Sequence, residues 1–354
     1  MAIPIEQLEH VRKALDESAR PLFLFDDDPD GLSSFLLLYR YKGDGKGVIV
    51  KNSPELKQDH FIVAINEYHA DLVLILDKPL VSQDFLDQIK VPVYWIDHHA
   101  PLARSKVTYL NPRLEDDKDN RPTSYWAWQI VKASRPQDLW IAGVGVVSDW
   151  FIPDFRAELQ EKYPDLLPDK IKRPEQALFA TKIGILARVF AFNLKGSTKD
   201  MLASAKVLTR IKEPGEILHQ TTSQGNFLFK KYMAVKKEYD SILHTIKPTK
   251  DKVLLYRYNV DNTAFTANLS NELLFKYPRK VILIARLHQG SYKCSLRGDA
   301  RYSKPINAAL EQSLVGIRGY GGGHPYACGA SIEQDDFEKF LDQFRKAVSG
   351  KKEK

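Results

Sequence analysis

The feature that most constrains the fold of this chain is the alternation of short apolar runs and longer mixed segments in its first half. The runs are strongly apolar and of strand length: PLFLF at 21–25, GVIV at 47–50, DLVLIL at 71–76 and VPVYWI at 91–96. Longer stretches such as LSSFLLLYRY lie between them and are typical of helices. This alternation predicts βαβ units and a parallel sheet that is covered on both faces. In such sheets ligands bind at the carboxyl ends of the strands.

The remainder of the chain predicts a helical connector and a second α/β domain. After Asp149 the pattern is mostly helical through about residue 245, and KVLLYRYNV, KVILIARLHQ and YKCSLRG are then typical of strands. A length of 354 residues favours two domains. We therefore predict an α/β protein with an N-terminal parallel-sheet domain over 1–195, a helical connector over 196–249 and a smaller C-terminal α/β domain over 250–350.

Composition argues against a membrane-spanning, a secreted and a disulfide-stabilised protein. Hydrophobic residues make up 44% of the chain and charged residues 27%, which is typical of a folded globular protein. Because no run of about 18 apolar residues and no secretory signal is evident, we expect a cytoplasmic protein without a membrane partner. Two cysteines, Cys294 and Cys328, are too few for a disulfide framework, and we expect both to be buried. A net charge of +7 favours a polyanionic partner without proving one.

The sharpest local motif is FDDDPDGLSS, in which Asp26, Asp28 and Asp30 alternate directly after the first apolar run. Repulsion among three carboxylates on one short loop would raise their pKa values and destabilise the turn unless a cation neutralised them. A hard divalent metal ion is therefore the natural explanation. The alternative is an acidic surface turn in which Gly31 supplies the bend.

Carboxylates also end three further apolar stretches. Asp77 follows DLVLIL, the triplet Asp97, His98 and His99 follows VPVYWI, and Asp149 closes GVGVVSD. An aspartate beside two imidazoles supplies mixed oxygen and nitrogen ligands, and a remaining histidine could hold a phosphate or donate a proton. Each aspartate alone could be a helix cap or a turn residue. Four successive segments that each end in carboxylate instead predict a two-metal site along the carboxyl edge of a doubly wound sheet.

A glycine-rich segment, GIRGYGGGHPYACG, is the candidate for binding a phosphate. Consecutive glycines permit positive φ and let backbone N–H groups point at an anion, and Arg297 and His324 could clamp the same phosphate. A flexible loop is the alternative. In the connector, lysines at 230, 231, 236 and 237 are interleaved with aromatic residues and could follow a nucleic-acid backbone, but a solvated helix face is the favoured interpretation.

In their order these motifs resemble the DHH phosphoesterase family, whose members include RecJ-like exonucleases and small oligoribonucleases. The four acidic motifs are similar to the family's first four: Asp26-x-Asp28-x-Asp30-Gly31, Asp77, Asp97-His98-His99 and Asp149. Two segments near the end of the chain are similar to the family's C-terminal substrate-binding domain. They are Ser295-x-Arg297, and Gly321-Gly322-Gly323-His324 followed by Ala327 and Gly329. Two positions depart from the pattern. Asp26 stands where many members have histidine, and Lys78-Pro79 replaces a small residue after Asp77.

The resemblance implies a phosphodiesterase that uses two manganese ions, with magnesium less favoured because a histidine is among the ligands. It implies that Asp77 bridges the ions, that Asp28 with Asp26 holds one, and that the other is held by Asp30, His98 and Asp149. Asp97 would orient a histidine, and His99 would contact or protonate the reacting phosphate. A phosphate further along the substrate would be bound by Arg297, Gly322, Gly323 and His324.

Three functions are compatible with these features. The first is a single-strand-specific exonuclease on DNA or RNA, which the basic charge and the RecJ-like first motif favour. The second is a phosphatase or phosphodiesterase for very short oligonucleotides, phosphoadenosine phosphate or cyclic dinucleotides, which the compact length favours. The third is a non-catalytic replication scaffold, against which the retained aspartates and histidines argue. The expected partner is single-stranded DNA or RNA or a short oligonucleotide, and a homodimer or a replication or repair partner is left open.

Overall fold

The computed structural model describes residues 2–51, 55–259 and 264–349. The chain divides into two compact units, Met1–Val235 and Lys236–Lys354, which we call unit 1 and unit 2. The division falls within a long helix, inside the segment that the sequence assigns to the connector.

Unit 1 is a mixture of short strands and helices. Its strands are β1 (Pro21–Asp26), β2 (Lys46–Val50), β3 (Glu55–Leu56), β4 (Leu72–Leu76), β5 (Leu80–Val81), β6 (Val93–Ile96) and β7 (Thr108–Leu110). Its helices are α1 (Ile5–Glu17), α2 (Pro29–Lys42), α3 (Asp59–Tyr68), α4 (Gln83–Gln88), α5 (Thr123–Val131), α6 (Leu139–Ser148), α7 (Arg156–Lys162), α8 (Pro174–Ala180), α9 (Lys182–Asn193), α10 (Thr198–Leu208), α11 (Pro214–Leu218) and α12 (Ser223–Thr245), which continues into unit 2.

The main sheet of unit 1 has the strand order β2-β1-β4-β6-β7, and every neighbouring pair is parallel. This confirms the predicted parallel-sheet domain. Phe25 is in register with Leu76, and Leu76 with Ile96, so the carboxyl ends of β1, β4 and β6 lie side by side. The residues of β4 and β6 are buried on both faces, which explains why these strands are continuous apolar runs.

Helices cover both faces of this sheet. On one face, Leu24, Ile75 and Trp95 share a core with residues of α3 and α4. On the other, Phe25 stacks on Phe35 of α2 at a centroid distance of 4.5 Å, and α2 packs against α5 and α6. The sheet is therefore an interior layer, and its carboxyl edge is the place where polar side chains can converge.

One helical segment differs from the sequence prediction, and a second helical stretch is divided by a cap. The apolar run before Asp149, expected to lie at the sheet edge, is helix α6, whose residues 139–147 are all buried. A helix that is apolar all round lacks the 3.6-residue periodicity that separates helices from buried strands. The stretch QALFATKIGILARVFAFNL is two helices, because the Thr181 hydroxyl accepts a hydrogen bond from the Gly184 backbone N–H and caps α9.

Unit 2 contains strands β8 (Val253–Tyr258), β9 (Val281–His288), β10 (Ser291–Arg297), β11 (Gly319–His324) and β12 (Ala327–Glu333), and helices α13 (Thr266–Lys276), α14 (Ile306–Ser313) and α15 (Phe337–Ser349). The sheet order is β11-β12-β10-β9-β8, in which β8 is parallel to β9 and the other pairs are antiparallel. One face shares a core with α14 and α15, and α13 packs on β9 and β10. This confirms a separate C-terminal α/β unit.

The glycine-rich segment is regular structure and not a flexible loop. Residues 319–324 form the edge strand β11, which turns through Pro325 and Tyr326 into β12. Of the three consecutive glycines, Gly323 has a positive φ of 139°, while Gly321 and Gly322 do not lie in the left-handed region. A loop of backbone N–H groups wrapped around an anion is therefore not what this segment builds, because pairing with β12 keeps it extended.

Two further expectations concern burial. Cys294 and Cys328 are free and buried, as predicted. Among the helices of the described residues, none combines the length and apolar character that crossing a membrane requires.

Candidate active site

The carboxyl edge of the main sheet brings three sequence motifs together. Asp26 is the last residue of β1, and Asp77 and Asp97 directly follow β4 and β6. The Asp77 backbone N–H donates to the carbonyl of Ile96 at 3.0 Å, and the Asp97 N–H donates to the carbonyl of Leu110 at 3.1 Å. The sheet ladder thus continues one residue beyond each strand and fixes both aspartates. Asp77 has a φ of 60°, in the left-handed region that aspartate tolerates better than most residues.

Asp28 enters the same edge from the start of α2. Its carboxylate caps the helix by accepting a hydrogen bond from the Gly31 backbone N–H at 2.9 Å. A Cβ at Gly31 would lie 2.8 Å from the backbone nitrogen of Asp26. Glycine is therefore needed at position 31 to let the first turn of α2 approach the end of β1.

Asp30 is held by the start of another helix. It is buried, and it accepts hydrogen bonds from the backbone N–H groups of Thr123 at 2.8 Å and Ser124 at 3.0 Å and from the Ser124 hydroxyl. These N–H groups belong to the first turn of α5, where no helical acceptor serves them. The Thr123 hydroxyl also donates to Asp77 Oδ1 at 3.2 Å. The sequence prediction missed both residues, although Pro122 before two hydroxyl residues is a usable signal of a helix start.

His98 lies between two of the predicted ligands. Its Nε2 is 3.5 Å from Asp77 Oδ1 and 3.4 Å from Asp149 Oδ2, and Asp149 comes from the C-terminal end of α6. On the other side of the ring, Nδ1 is 3.3 Å from the carbonyl oxygen of Asn120. An N–H at Nδ1 that donates to this carbonyl directs the Nε2 lone pair at the carboxylates, which is the orientation a metal-ligating imidazole needs.

Asp97 contacts the neighbouring imidazole and is not part of the ligand sets. It is fully buried, and it accepts from His99 Nδ1 at 2.8 Å and from the His99 backbone N–H at 3.0 Å. Asn111 supports this pair, because its side-chain amide donates to the His99 carbonyl at 3.0 Å and to Asp97 Oδ2 at 3.4 Å. Asn111 is a positioning residue that the sequence prediction missed, and an isolated asparagine after β7 offers no clear signal.

The predicted ligand residues converge in three sets whose ligand atoms lie within 4.8 Å of one another: Asp26, Asp28 and Asp77; Asp30, His98 and Asp149; and Asp77, His98 and His99. The first set offers oxygen ligands, which suit hard divalent ions, and the second adds one imidazole. These two sets are the ones that the sequence assigns to two ions.

The electrostatics of this cluster favour a bound cation. Burial, with repulsion from the neighbouring Asp26 and Asp30, raises the pKa of Asp28 to about 7. Burial raises the pKa of Asp149 to about 7 against the opposing charge of His98, and that of Asp26 to about 6 against the charge of Lys78. Burial and the surrounding carboxylates hold the pKa of Asp77 well above its usual range. Divalent ions would supply the missing positive charge, so the residues fit a metal centre.

His99 carries a charge of its own. Burial lowers its pKa, but the hydrogen bond and charge of Asp97, together with the charges of Asp149 and Asp28, outweigh burial and raise the pKa to about 9. The imidazole is therefore protonated at neutral pH and can donate from its ring nitrogens.

Lys78 is an unexpected component of the centre. Its side chain is 2% exposed, and its Nζ lies 2.5 Å from Asp26 Oδ1. The sequence noted this lysine only as a departure from the family pattern. The position of Lys78, directly after an aspartate at a strand end, is the sequence signal that could have predicted a cation within the acidic cluster.

Unit 2 presents the glycine-rich segment on an open surface. Residues directly opposite each other on antiparallel strands point to the same face of the sheet. Across β11, β12 and β10 this gives three rows: Tyr320, Ser331 and Lys293; Gly322, Gly329 and Ser295; His324, Ala327 and Arg297. We call these rows the glycine face. It is the face on which α13 packs, because Ser295 Oγ lies 2.9 Å from Ser270 Oγ of that helix.

The glycine face is open at Gly322 and Gly329, and α13 covers it at Ser295. A Cβ at Gly322 would meet no atom within 4 Å, whereas one at Gly321, on the opposite face, would lie 2.9 Å from the Ala330 Cβ. Arg297 lies at one end of the glycine face. Its guanidinium donates hydrogen bonds to Asn271 Oδ1 at 2.8 Å and to the Cys328 carbonyl at 3.2 Å. Of the predicted phosphate-binding residues, Arg297 and His324 therefore share one row, with Gly322 in the next. Gly323 does not join them, because the alternation along β11 puts it on the opposite face, where a Cβ would lie 2.5 Å from the Ala327 carbonyl oxygen. Lys293 adds a basic group that the sequence prediction missed.

Two of the four connector lysines are engaged within the protein, and Lys230 and Lys237 are exposed. Lys231 Nζ donates to the carbonyls of Asn193 at 2.9 Å and Asp200 at 3.0 Å, and Lys236 pairs with Asp240 four residues later. These contacts favour the interpretation of this segment as an ordinary helix face.

Comparison with known proteins agrees with this architecture. Residues 251–350 match the family model of the DHHA1 domain, and no curated protein sequence matches the chain. Among solved structures, RecJ from Thermus thermophilus in complex with Mn²⁺ is similar with a TM-score of 0.68 and 17% identity, over 100% of this chain and 56% of that one. Exonuclease RecJ bound to manganese has a TM-score of 0.64 and 15% identity, and the match covers 99% of this chain and 97% of that chain. CDC45 from Entamoeba histolytica has a TM-score of 0.51 and 11% identity, over 97% and 99%. At these identities the likeness shows a shared fold.

Proposed function

We propose that this chain, a DHH-family protein by its DHHA1 domain and its RecJ-like fold, is a divalent-metal phosphodiesterase that acts as a single-strand-specific exonuclease on DNA or RNA. The observation that carries the proposal is the pair of adjoining ligand sets on the carboxyl edge of the parallel sheet: Asp26, Asp28 and Asp77, and Asp30, His98 and Asp149. Manganese is the preferred ion because it accepts both carboxylate and imidazole ligands, and magnesium is the second choice.

In this proposal each of the two sets would hold one ion, and Asp77 would be among the ligands. Such a pair of ions, when bound, supplies an activated water near neutral pH and neutralises charge on the phosphate oxygens. The chain's own residues prepare the geometry. The N–H groups of Thr123 and Ser124 orient the Asp30 carboxylate, and the Asn120 carbonyl sets the His98 tautomer.

His99 is the proposed contact to the reacting phosphate. Asp97 holds its Nδ1 side at 2.8 Å, and this hydrogen bond fixes the ring so that the opposite nitrogen can donate to a phosphate oxygen or to the leaving group. Asn111 keeps both residues in place. The protonated state of His99 at neutral pH is the state that such a donor requires.

The glycine face of unit 2 is the proposed site for a second substrate phosphate. Arg297 and His324 supply donors in one row, and Gly322 in the next row lets a phosphate or a sugar approach the backbone closely. Binding energy from such a remote contact aligns the substrate without activating the water.

A phosphodiesterase for short oligonucleotides is the second candidate. From Tyr320 to His324 the glycine face covers four residue steps of β11, about 13 Å at 3.3 Å per residue. That extent suits a very short oligonucleotide or cyclic dinucleotide as well as the end of a long strand. A non-catalytic scaffold is disfavoured, because every predicted ligand residue lies in one of the clustered sets.

The discriminating experiment incubates the metal-free protein with Mn²⁺ or Mg²⁺ and with end-labelled DNA and RNA of graded lengths. An exonuclease produces a ladder that shortens long single strands from one end. Degradation of only the shortest substrates would favour the second candidate. Binding of oligonucleotide without any product, by folded and metal-loaded protein, would contradict both enzymes and favour the scaffold. Asp77→Asn is the control for contaminating nuclease.

A further inference from the structure

The acidic centre contains a cation that belongs to the chain itself. Lys78 follows Asp77, its side chain is 2% exposed, and its Nζ lies 2.5 Å from Asp26 Oδ1. We propose that Lys78 competes with a divalent ion for Asp26, so that the two metal positions of this centre differ in affinity. This inference rests on the proposed metal centre and adds to it an order in which the two positions fill.

The competition follows from which ligands the two sets share. Asp26 belongs to the set with Asp28 and Asp77, whose ligand atoms all lie within 4.8 Å of one another. An ion ligated by Asp26 would stand close to the ammonium that already contacts the same carboxylate. Repulsion between like charges is strong where water is excluded. The set of Asp30, His98 and Asp149 does not use Asp26, so its ion does not have to displace the ammonium from a ligand.

Lys78 is also held so that it cannot easily withdraw. Its backbone carbonyl accepts a hydrogen bond from the indole N–H of Trp95 at 2.9 Å, and Trp95 is fully buried in the sheet. Its side chain is enclosed along its length, and the paired Asp26 carboxylate makes a buried ammonium tolerable. The ammonium is therefore a built-in part of the centre, and an ion ligated by Asp26 would have to share this carboxylate with it.

The test is a titration of the metal-free, full-length protein with Mn²⁺. Calorimetry measures the affinities, and electron paramagnetic resonance detects the bound ions. We expect the wild-type protein to bind one ion tightly and a second ion at least about tenfold more weakly. Lys78→Met keeps the length of the side chain and removes its charge. It should tighten the weaker position by about 10- to 100-fold, the range typical of altered groups around a metal site. Lys78→Arg keeps the charge and should keep the position weak.

A second variant keeps the test decisive if Lys78→Met does not fold. Asp26→Asn removes the contested ligand, and we expect it to abolish the weaker position and spare the tighter one. An unchanged or lower affinity of the weaker position in folded Lys78→Met would overturn the inference, as would two equally tight ions in the wild-type protein, although the metal centre would then stand. No Mn²⁺ binding by the wild-type protein would overturn the proposed metal centre as well.

Discussion

The two units of this molecule build their candidate phosphate sites in opposite ways. Unit 1 gathers charged side chains in a buried place, and each carboxylate has a donor from the chain or a neighbour that repels it. Unit 2 removes side chains from an exposed strand and leaves glycines between basic residues. Burial strengthens electrostatic interactions and makes them costly, whereas an open backbone surface is inexpensive to build and adds little charge. Under the proposed function, unit 1 would activate the water and unit 2 would hold the substrate.

The largest effect is expected in unit 1. Asp77→Asn should lower turnover by more than about 100-fold, because loss of a metal ligand should exceed the 10- to 100-fold effect of groups that merely support ligands. Asparagine tolerates the φ of 60° at this position, so the fold should persist. The melting temperature of the metal-free protein should rise, since one of the repelling carboxylates is gone. Initial rates at saturating Mn²⁺ and calorimetry measure both effects.

The matched control is Asp87→Asn, which removes a carboxylate at the surface of α4 that pairs with Lys106. It should change neither turnover nor metal binding. If Asp77→Asn were as active as this control, the centre would not be the place of catalysis.

The next effect belongs to unit 2. Arg297→Ala should weaken binding of a single-stranded oligonucleotide by about 10- to 100-fold, the equivalent of a charge-assisted contact of roughly 1.5–3 kcal/mol. Fluorescence anisotropy with Ca²⁺ in place of Mn²⁺ measures binding without turnover, at one fixed salt concentration because ionic strength alone alters polyanion affinity. Hydrolysis of a small chromogenic phosphodiester should change much less. Arg345→Ala, on α15, is the arginine control, and equal effects of both variants on binding would argue against the glycine face.

A smaller effect tests the openness of the same face. Gly322→Val should reduce oligonucleotide affinity by about tenfold, because the new side chain occupies the space that a ligand approaches. No protein atom lies within 4 Å of the added Cβ, so stability should be nearly unchanged. Measuring binding and thermal unfolding on the same sample separates a loss of affinity from a loss of stability. Unaltered affinity would mean that ligands do not contact this glycine.

The smallest effect is a pH dependence of stability. In the folded protein Asp28 and Asp149 have a pKa of about 7, against the ordinary value of 3.8. Between these pH values the folded protein binds protons that the unfolded chain has lost, so stability falls as the pH rises. The metal-free protein should therefore melt at a lower temperature at pH 8 than at pH 5. Saturating Mn²⁺ should raise the melting temperature by at least about 2 °C more at pH 8 than at pH 5. Equal increases at the two pH values would show that these carboxylates do not ligate the ions.

Much of unit 1 was predictable because its strands are buried on both faces. Such strands are continuous apolar runs, and β1, β4 and β6 begin and end within a few residues of those runs. The run before Asp149 was misplaced for the same reason, since burial on every side gives helix α6 the same appearance as a central strand. In unit 2 the glycine-rich segment was not predicted to be a strand, because glycine carries no side-chain pattern and only pairing with β12 makes it one.

The sequence by itself determined that carboxylates follow successive apolar runs and that a basic, glycine-rich segment lies far along the chain. From those facts came the parallel sheet, the candidate ligands and the candidate phosphate-binding residues. Only the tertiary structure decided which groups surround them: the N–H groups of α5 on Asp30, Lys78 on Asp26, and Lys293 beside the open glycines. The physical reason is that a strand end sets where its own side chain points, through backbone geometry that is local in sequence. The partners of that side chain come from distant elements, and packing and register alone bring them within hydrogen-bond distance.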